Sequence, residues 1–222
     1  RPIFSGCLFE IKSNKLNVVA IDGFRLALRT INLPTAVNDF KAIIPAKTLN
    51  EVNKILEDSF ETVKIGVSKN QAVFEMEKCK IVTRTLDGEF LNYTSVIPSI
   101  WKTRIKVERN NLLNSFERIS LISSSSIEKE KKYPVKVSID IGKLTIVCTN
   151  QTGDAKEEVF ISTEGQNLEV GFNPKYFLDS LKAIDEEEIF IEFGTNVSPC
   201  LIKSTENNDY VYMILPIRLK GE

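Results

Sequence analysis

Leu168-Glu169-Val170-Gly171-Phe172-Asn173-Pro174 runs straight into Lys175–Ile184. It reads as a strand followed by a short amphipathic helix, with Phe177, Leu178 and Leu181 as the buried stripe. The same phrase occurs twice more. Phe40-Lys41-Ala42-Ile43-Ile44-Pro45 runs into Lys47–Leu56, whose buried stripe is Leu49, Val52 and Leu56. Arg104-Ile105-Lys106-Val107 leads to Asn111–Ile122. Each helix is followed by two or three strands, so Phe40–Arg84, Thr103–Ile161 and Asn167–Ile217 read as copies of one unit. A period of roughly 50–60 residues is longer than solenoid repeats usually show. The fold class expected is therefore α+β, built from a few duplicated strand–helix–strands units.

Before Phe40 there are only strands, at Gly6–Lys12, Leu16–Ile21 and Arg25–Leu33. They read as the tail of a fourth unit. Arg1 is not an initiator methionine, and Met occurs only at Met76 and Met213, so the chain is expected to begin inside a domain. With 222 residues, 42% apolar and 27% charged, it has the composition of a soluble globular protein of one large or two small domains. No apolar run approaches the roughly 20 residues of a membrane helix.

The chemistry is sparse. Histidine is absent, which removes the commonest general base and metal ligand at neutral pH. No GxSxG, HExxH, P-loop or GxGxxG stands in the chain. Cys7, Cys79, Cys148 and Cys200 are far apart, read as strand-borne apolar residues, and fit a reducing, cytoplasmic setting. The sequons Asn92-Tyr93-Thr94 and Asn150-Gln151-Thr152 then carry no glycan. Asp185–Glu188 lacks the spacing of a calcium loop and reads as a solvated turn. Ser123–Ser126 with Glu128–Lys132 reads as a mobile polar loop. No catalytic residue, metal or cofactor is expected.

Three features call for more than a structural explanation. Asp22-Gly23, between the apolar runs Val18–Ile21 and Leu26–Leu28, is a hairpin signal, yet Phe24 stands at the turn, where an aromatic is partly exposed. Tyr210–Ile214 reads as a buried last strand that Pro216 stops. Leu215–Leu219 reads equally as buried chain or as part of a surface groove. Lys47 and Lys54, like Lys175 and Lys182, are seven apart and share a helical face, and Arg118 occupies the exposed side of the middle helix. A net charge of −1 argues against general affinity for nucleic acid. Recurrence of cations on equivalent helices nevertheless points to a shared basic surface. A non-enzymatic scaffold of duplicated sheet units, with no DNA role, is the alternative reading.

Taken together, Arg1–Glu10, Val19–Leu28, Leu86–Tyr93, Val170–Leu181 and Tyr212–Leu219 resemble, in order, the bacterial DNA polymerase III beta-subunit family of sliding clamps. The resemblance implies the DNA-clamp fold, with antiparallel sheets outside and helices on the inner face. Residues 1–100 would be a middle domain lacking its first strand and helix, and 101–222 a complete third domain. It implies a processivity factor for DNA replication, not an enzyme. Two protomers would close as a homodimer ring around duplex DNA, independent of sequence. The polymerase III alpha subunit, the clamp loader and other motif-bearing proteins would dock a short Gln- and Leu/Phe-containing peptide in a cleft. No membrane is involved.

Carried over by position, that peptide cleft comprises Phe4, Ile21, Gly23, Phe24, Arg25, Leu26, Leu91 and Val96, together with Asn173, Tyr176, Val197, Met213, Leu215, Pro216, Ile217 and Arg218. Lys47, Lys54, Arg118, Lys175 and Lys182 would face DNA, and Leu121 and Ile122 the ring interface. Phe24 stands where the family often has His, Leu91 where Pro is frequent, Glu89 where Arg is frequent and Ile217 where Met or Val is common, and Lys220–Glu222 runs past the usual end. The cleft is accordingly expected to be more apolar than the family's average.

Overall fold

The structure is a computed structural model that describes residues 2–35, 37–56, 62–124, 134–151 and 153–219. From residue 125 onward the expected polar loop lies outside the described residues, as do Thr152 and the Lys220–Glu222 extension. Packing divides the chain into Arg1–Thr94 and Ser95–Glu222.

The first unit contains β1 (Gly6–Lys12), β2 (Lys15–Ile21), β3 (Arg25–Asn32), β4 (Phe40–Pro45), α1 (Ala46–Ile55), β5 (Lys64–Val67), β6 (Gln71–Glu75) and β7 (Lys80–Arg84). Four strands lie in the hydrogen-bonded order β3-β2-β1-β4, and β5-β6-β7 form a separate sheet. Alternation along β1 sends Phe9 inward, opposite Val18 on β2 and Ala42 on β4. Phe9 joins Ile44, Val52, Ala72 and Phe74 in the core, and Leu49 packs against them from α1. Burying each of the larger side chains is worth about 1.5–3 kcal/mol. Leu56, assigned to the buried stripe, lies just past the helix and is exposed.

The second unit contains β8 (Thr103–Glu108), α2 (Arg109–Ser124), β9 (Val135–Asp140), β10 (Lys143–Asn150), β11 (Gly153–Phe160), β12 (Ser162–Gly165), β13 (Leu168–Phe172), α3 (Pro174–Lys182), β14 (Glu188–Phe193), β15 (Cys200–Ser204) and β16 (Tyr210–Ile214). The repeated strand–helix–strands phrase is present in both halves. Each half, however, gives its first strand to the other. β8 pairs with β14, Ile105 opposite Ile191, and β13 pairs with β9, Val170 opposite Val137. The orders are β12-β8-β14-β15-β16 and β11-β10-β9-β13. The two helices meet at Phe116 and Phe177, stacked with centroids 4.6 Å apart, with Phe172 edge-on to Phe177 at 5.1 Å.

Helix starts are set locally. The Glu108 carboxylate accepts from the amides of Asn110 and Asn111, at 2.7 and 2.9 Å, and so caps α2. Asn173 caps α3 by accepting from the Lys175 amide at 3.1 Å, with Pro174 in the first turn. Two sequence readings change. β12 is an additional strand, paired with β8. Cys79 sits in the turn between β6 and β7, bracketed by the Met76 amide on the Cys79 carbonyl, and not in a strand.

Candidate functional site

The residues assigned to peptide recognition fall into two groups. In the first unit the β2–β3 hairpin carries most of them. Ile21 pairs with Leu26 and the Asp22 amide donates to the Arg25 carbonyl at 3.3 Å, so Gly23 and Phe24 hold the tip of the turn, and not the Asp22-Gly23 pair that the sequence favours. The cause is the Asp22 side chain. Its Oδ1 accepts from the amides of Phe24 and Arg25 at 3.0 and 3.2 Å, and its Oδ2 from Arg25 Nε at 2.8 Å. This captures two amides that a tight turn would use otherwise. Gly23 takes φ +91°, open to glycine at no steric cost. Partial burial pushes the Asp22 carboxyl up, but the Arg25 hydrogen bond, the Phe24 amide and the Arg25 charge outweigh it, and the group sits below its ordinary value.

This turn holds Phe24 60% exposed. Ile21, Arg25 and Phe4 are half-buried, and Leu91 is exposed. Leu26 is different. It is 2% exposed and belongs to the core, so it supports the hairpin from below and offers no surface for a ligand.

In the second unit, β16 ends at Ile214 and the chain continues through Leu215 and Pro216. It does not leave the body. The Ile217 amide donates to the Gly171 carbonyl at 2.8 Å, an isolated antiparallel bridge on β13. Leu215 and Pro216 are half-buried, and Ile217 and Arg218 are exposed. Met213 is 5% exposed and sits in the β16 core row, opposite Leu201. Val197 is 64% exposed, on a loop held by the Thr195–Ser198 hydroxyl pair at 2.7 Å. Tyr176 is half-buried and Val96 is exposed. Asn173 is already engaged as the cap of α3.

An open cleft of about 1180 Å³ lies within the first unit, lined by Leu8, Glu10, Lys41, Ile43, Asp87 and Tyr93 among others. Of the residues assigned to peptide binding only Leu91 borders it. Its floor is a polar cluster that the sequence did not signal. Tyr93 Oη donates to Glu10 Oε2, and Lys41 Nζ lies 2.7 Å from Glu10 Oε1. Burial raises the Glu10 carboxyl, but Lys41, Tyr93 and Asn17 together bring it below its ordinary value. Burial, with Glu10 beside it, pushes the Tyr93 hydroxyl far up. A second such cluster joins Arg104 and Lys203 to the buried Glu192, at 2.9 and 2.6 Å. The Arg104 guanidinium lies over the Phe190 ring at 4.2 Å. Both clusters place cations on a buried carboxylate, as structural ion groups do, although Arg104 Nε is itself buried without a hydrogen-bond partner among the described residues.

The basic helix residues are less free than their spacing implies. Lys54 pairs with Glu51 at 2.9 Å and Lys182 with Glu117 at 2.9 Å. Arg118 makes a two-pronged contact with Glu157, Nε to Oε1 at 2.8 Å and Nη2 to Oε2 at 2.6 Å. That bond holds Glu157 below its ordinary value and Arg118 above it. Lys47 and Lys175 have no ion-pair partner among the described residues. Leu121 is 69% exposed near the end of α2, and Ile122 is half-buried with its carbonyl bonded by Asn150 Nδ2 at 2.5 Å. Among the described residues no group of three or more Cys, Asp or Glu is placed to hold a metal, and no helix is long and apolar enough to cross a membrane.

Comparison with known proteins gives one family throughout. Residues 94–218 match the DNA polymerase III beta subunit, C-terminal domain, and residues 1–92 match the DNA polymerase III beta subunit, central domain. The chain is 31% identical over 220 residues to a "Beta sliding clamp" of Staphylococcus epidermidis, covering 98% of this chain and 57% of that protein. A solved structure described as a putative DNA polymerase III beta subunit from Eubacterium rectale superposes with a TM-score of 0.93 at 34% identity, over 99% of this chain and 59% of that one. The DNA polymerase sliding clamp of Bacillus subtilis superposes with a TM-score of 0.93 at 32% identity, over 99% and 58%. The chain thus spans a little under three-fifths of the length of these relatives.

Proposed function

Because the chain belongs to the DNA polymerase III beta-subunit family, we propose that it is the peptide-docking part of a replication processivity factor. The observation that carries this reading is the unbroken succession of two domain matches, central at 1–92 and C-terminal at 94–218. On this reading the first unit is the middle clamp domain and the second the third. The whole protein closes as a homodimer ring around duplex DNA in the cytoplasm. It tethers the polymerase alpha subunit, the clamp loader and other motif-bearing proteins without catalysing a reaction itself.

Two features support the division of labour. Phe24 and Leu91 are exposed apolar residues of the first unit, and Val197 and Ile217 are exposed apolar residues of the second, each of the kind an extended peptide buries. Lys47 and Lys175 form no ion pair among the described residues, whereas Lys54, Arg118 and Lys182 are paired with Glu51, Glu157 and Glu117. A lining of muted charge suits sliding, because each phosphate neutralised adds salt-dependent affinity and drag. Leu121 would lie at the ring contact.

Burying one Leu or Phe anchor contributes about 1.5–3 kcal/mol. Two anchors and a few backbone hydrogen bonds, less the ordering cost, give a binding free energy on the order of −7 to −8 kcal/mol, in the micromolar range. Calorimetric titration of the chain with a Gln-Leu-x-Leu-Phe-type peptide tests this. Heat that fits a single micromolar site is the expected result. No heat from folded protein at a few hundred micromolar peptide (roughly −5 kcal/mol) would instead favour a scaffold with no clamp role.

A further inference from the structure

Gly171 stands in the interior of β13, where a glycine weakens a strand because it brings no side chain to pack and loses the most backbone freedom on folding. Its backbone is not among the positive-φ glycines, so conformation does not demand it. Space does. A β-carbon at this position would stand 2.4 Å from the Ile217 carbonyl oxygen and 2.8 Å from Leu219 Cδ2. The carbonyl of the same residue receives the Ile217 amide at 2.8 Å. Pro216 has no amide to extend the β16 ladder, so Ile217 is the first residue after it that can tie the tail down. The bridge also covers part of the outer edge of β13, which is the last strand of its sheet.

We infer that Gly171 is the positioning residue of the C-terminal tail. By leaving room for the chain to close on β13, it fixes the register in which Leu215, Ile217 and Arg218 are presented. The ligand served is an extended apolar peptide, and that half of the inference rests on the peptide-docking reading above. The geometric half stands by itself. Asn173, two residues on, begins α3, so the strand that holds the tail also sets the start of the helix that carries Tyr176.

Two variants separate the possibilities. Gly171→Ala places a methyl against the Ile217 carbonyl. Ile217→Pro removes the bridging donor without altering β13. Gly66→Ala is the control, since a β-carbon there meets nothing within 4 Å. Amide hydrogen exchange at Ile217 reports the tail, and calorimetric titration with the Gln-Leu-x-Leu-Phe-type peptide reports the site. Gly171→Ala is expected to speed exchange at Ile217 and to weaken the peptide roughly tenfold, the factor that about 1.4 kcal/mol represents. Ile217→Pro should weaken the peptide similarly, and Gly66→Ala should change neither readout. An Ile217 amide still protected in Gly171→Ala overturns the inference, as does unchanged peptide affinity with the tail released. A wild-type chain that binds no peptide refutes the docking reading and with it the functional half. The exchange measurement still decides the geometric half.

Discussion

At the scale of single residues, a charge has different consequences at two leucines that the family resemblance assigns to the peptide cleft. Leu26 is sealed in the core, and Leu26→Asp would strand a carboxylate there at a cost of several kcal/mol. It should abolish the cooperative unfolding transition. Leu215 is half-buried and reaches solvent. Leu215→Asp should keep the circular dichroism spectrum and lose the peptide. The Glu10 cluster makes a separate prediction. Tyr93→Phe removes the hydroxyl that donates to Glu10 and should cost about 1–2 kcal/mol in urea unfolding. Because the folded Glu10 carboxyl is held below its ordinary value of 4.5, its contribution is fully present above that value. It fades as pH falls through the lower folded value. The stability difference between wild type and Tyr93→Phe should therefore hold above pH 4.5 and narrow as pH falls below it. None of this cluster was legible beforehand. Glu10 and Tyr93 are 83 residues apart, and no periodicity links them. Gly171 was legible in principle, since a lone glycine inside a strand marks a close backbone approach.

At the scale of elements, the repeated strand–helix–strands phrase was legible because side-chain periodicity switches where strand gives way to helix. The exchange of β8 and β13 between the two halves was not. A strand's pattern says which face is buried and is silent on which neighbour it pairs with. The position of the Asp22–Arg25 turn was hidden for a similar reason, since it depends on which amides the Asp22 carboxylate captures. Phe116 and Phe177 join the two helices of the second unit. Phe116→Ala should cost about 3–5 kcal/mol, seen as a lower denaturant midpoint for probes in that unit. The helices also grade the basic residues. In the whole protein, charge reversal at Lys47 and Lys175, which lack ion-pair partners among the described residues, should lower retention on DNA more than reversal at Lys54 or Lys182. Stability should move within about 0.5 kcal/mol. Equal effects at all four positions would mean that the Glu51 and Glu117 pairs do not moderate the lining.

At the scale of the molecule, the chain combines a duplicated architecture with a net charge of −1 and no histidine, and the proposed role is surface recognition. On that proposal, peptide recognition is the part of the role open to test on this chain, because both groups of assigned residues lie within it. The direct measurement is a chemical-shift map of the isotopically labelled chain titrated with the Gln-Leu-x-Leu-Phe-type peptide. Saturable shifts are expected at Gly23, Phe24 and Arg25 of the hairpin, at Leu91, at Val197, and at Leu215, Ile217 and Arg218 of the tail. Shifts confined to Lys41, Asp87 and Tyr93 around the first unit's cleft, or none at saturating peptide, would contradict the proposal.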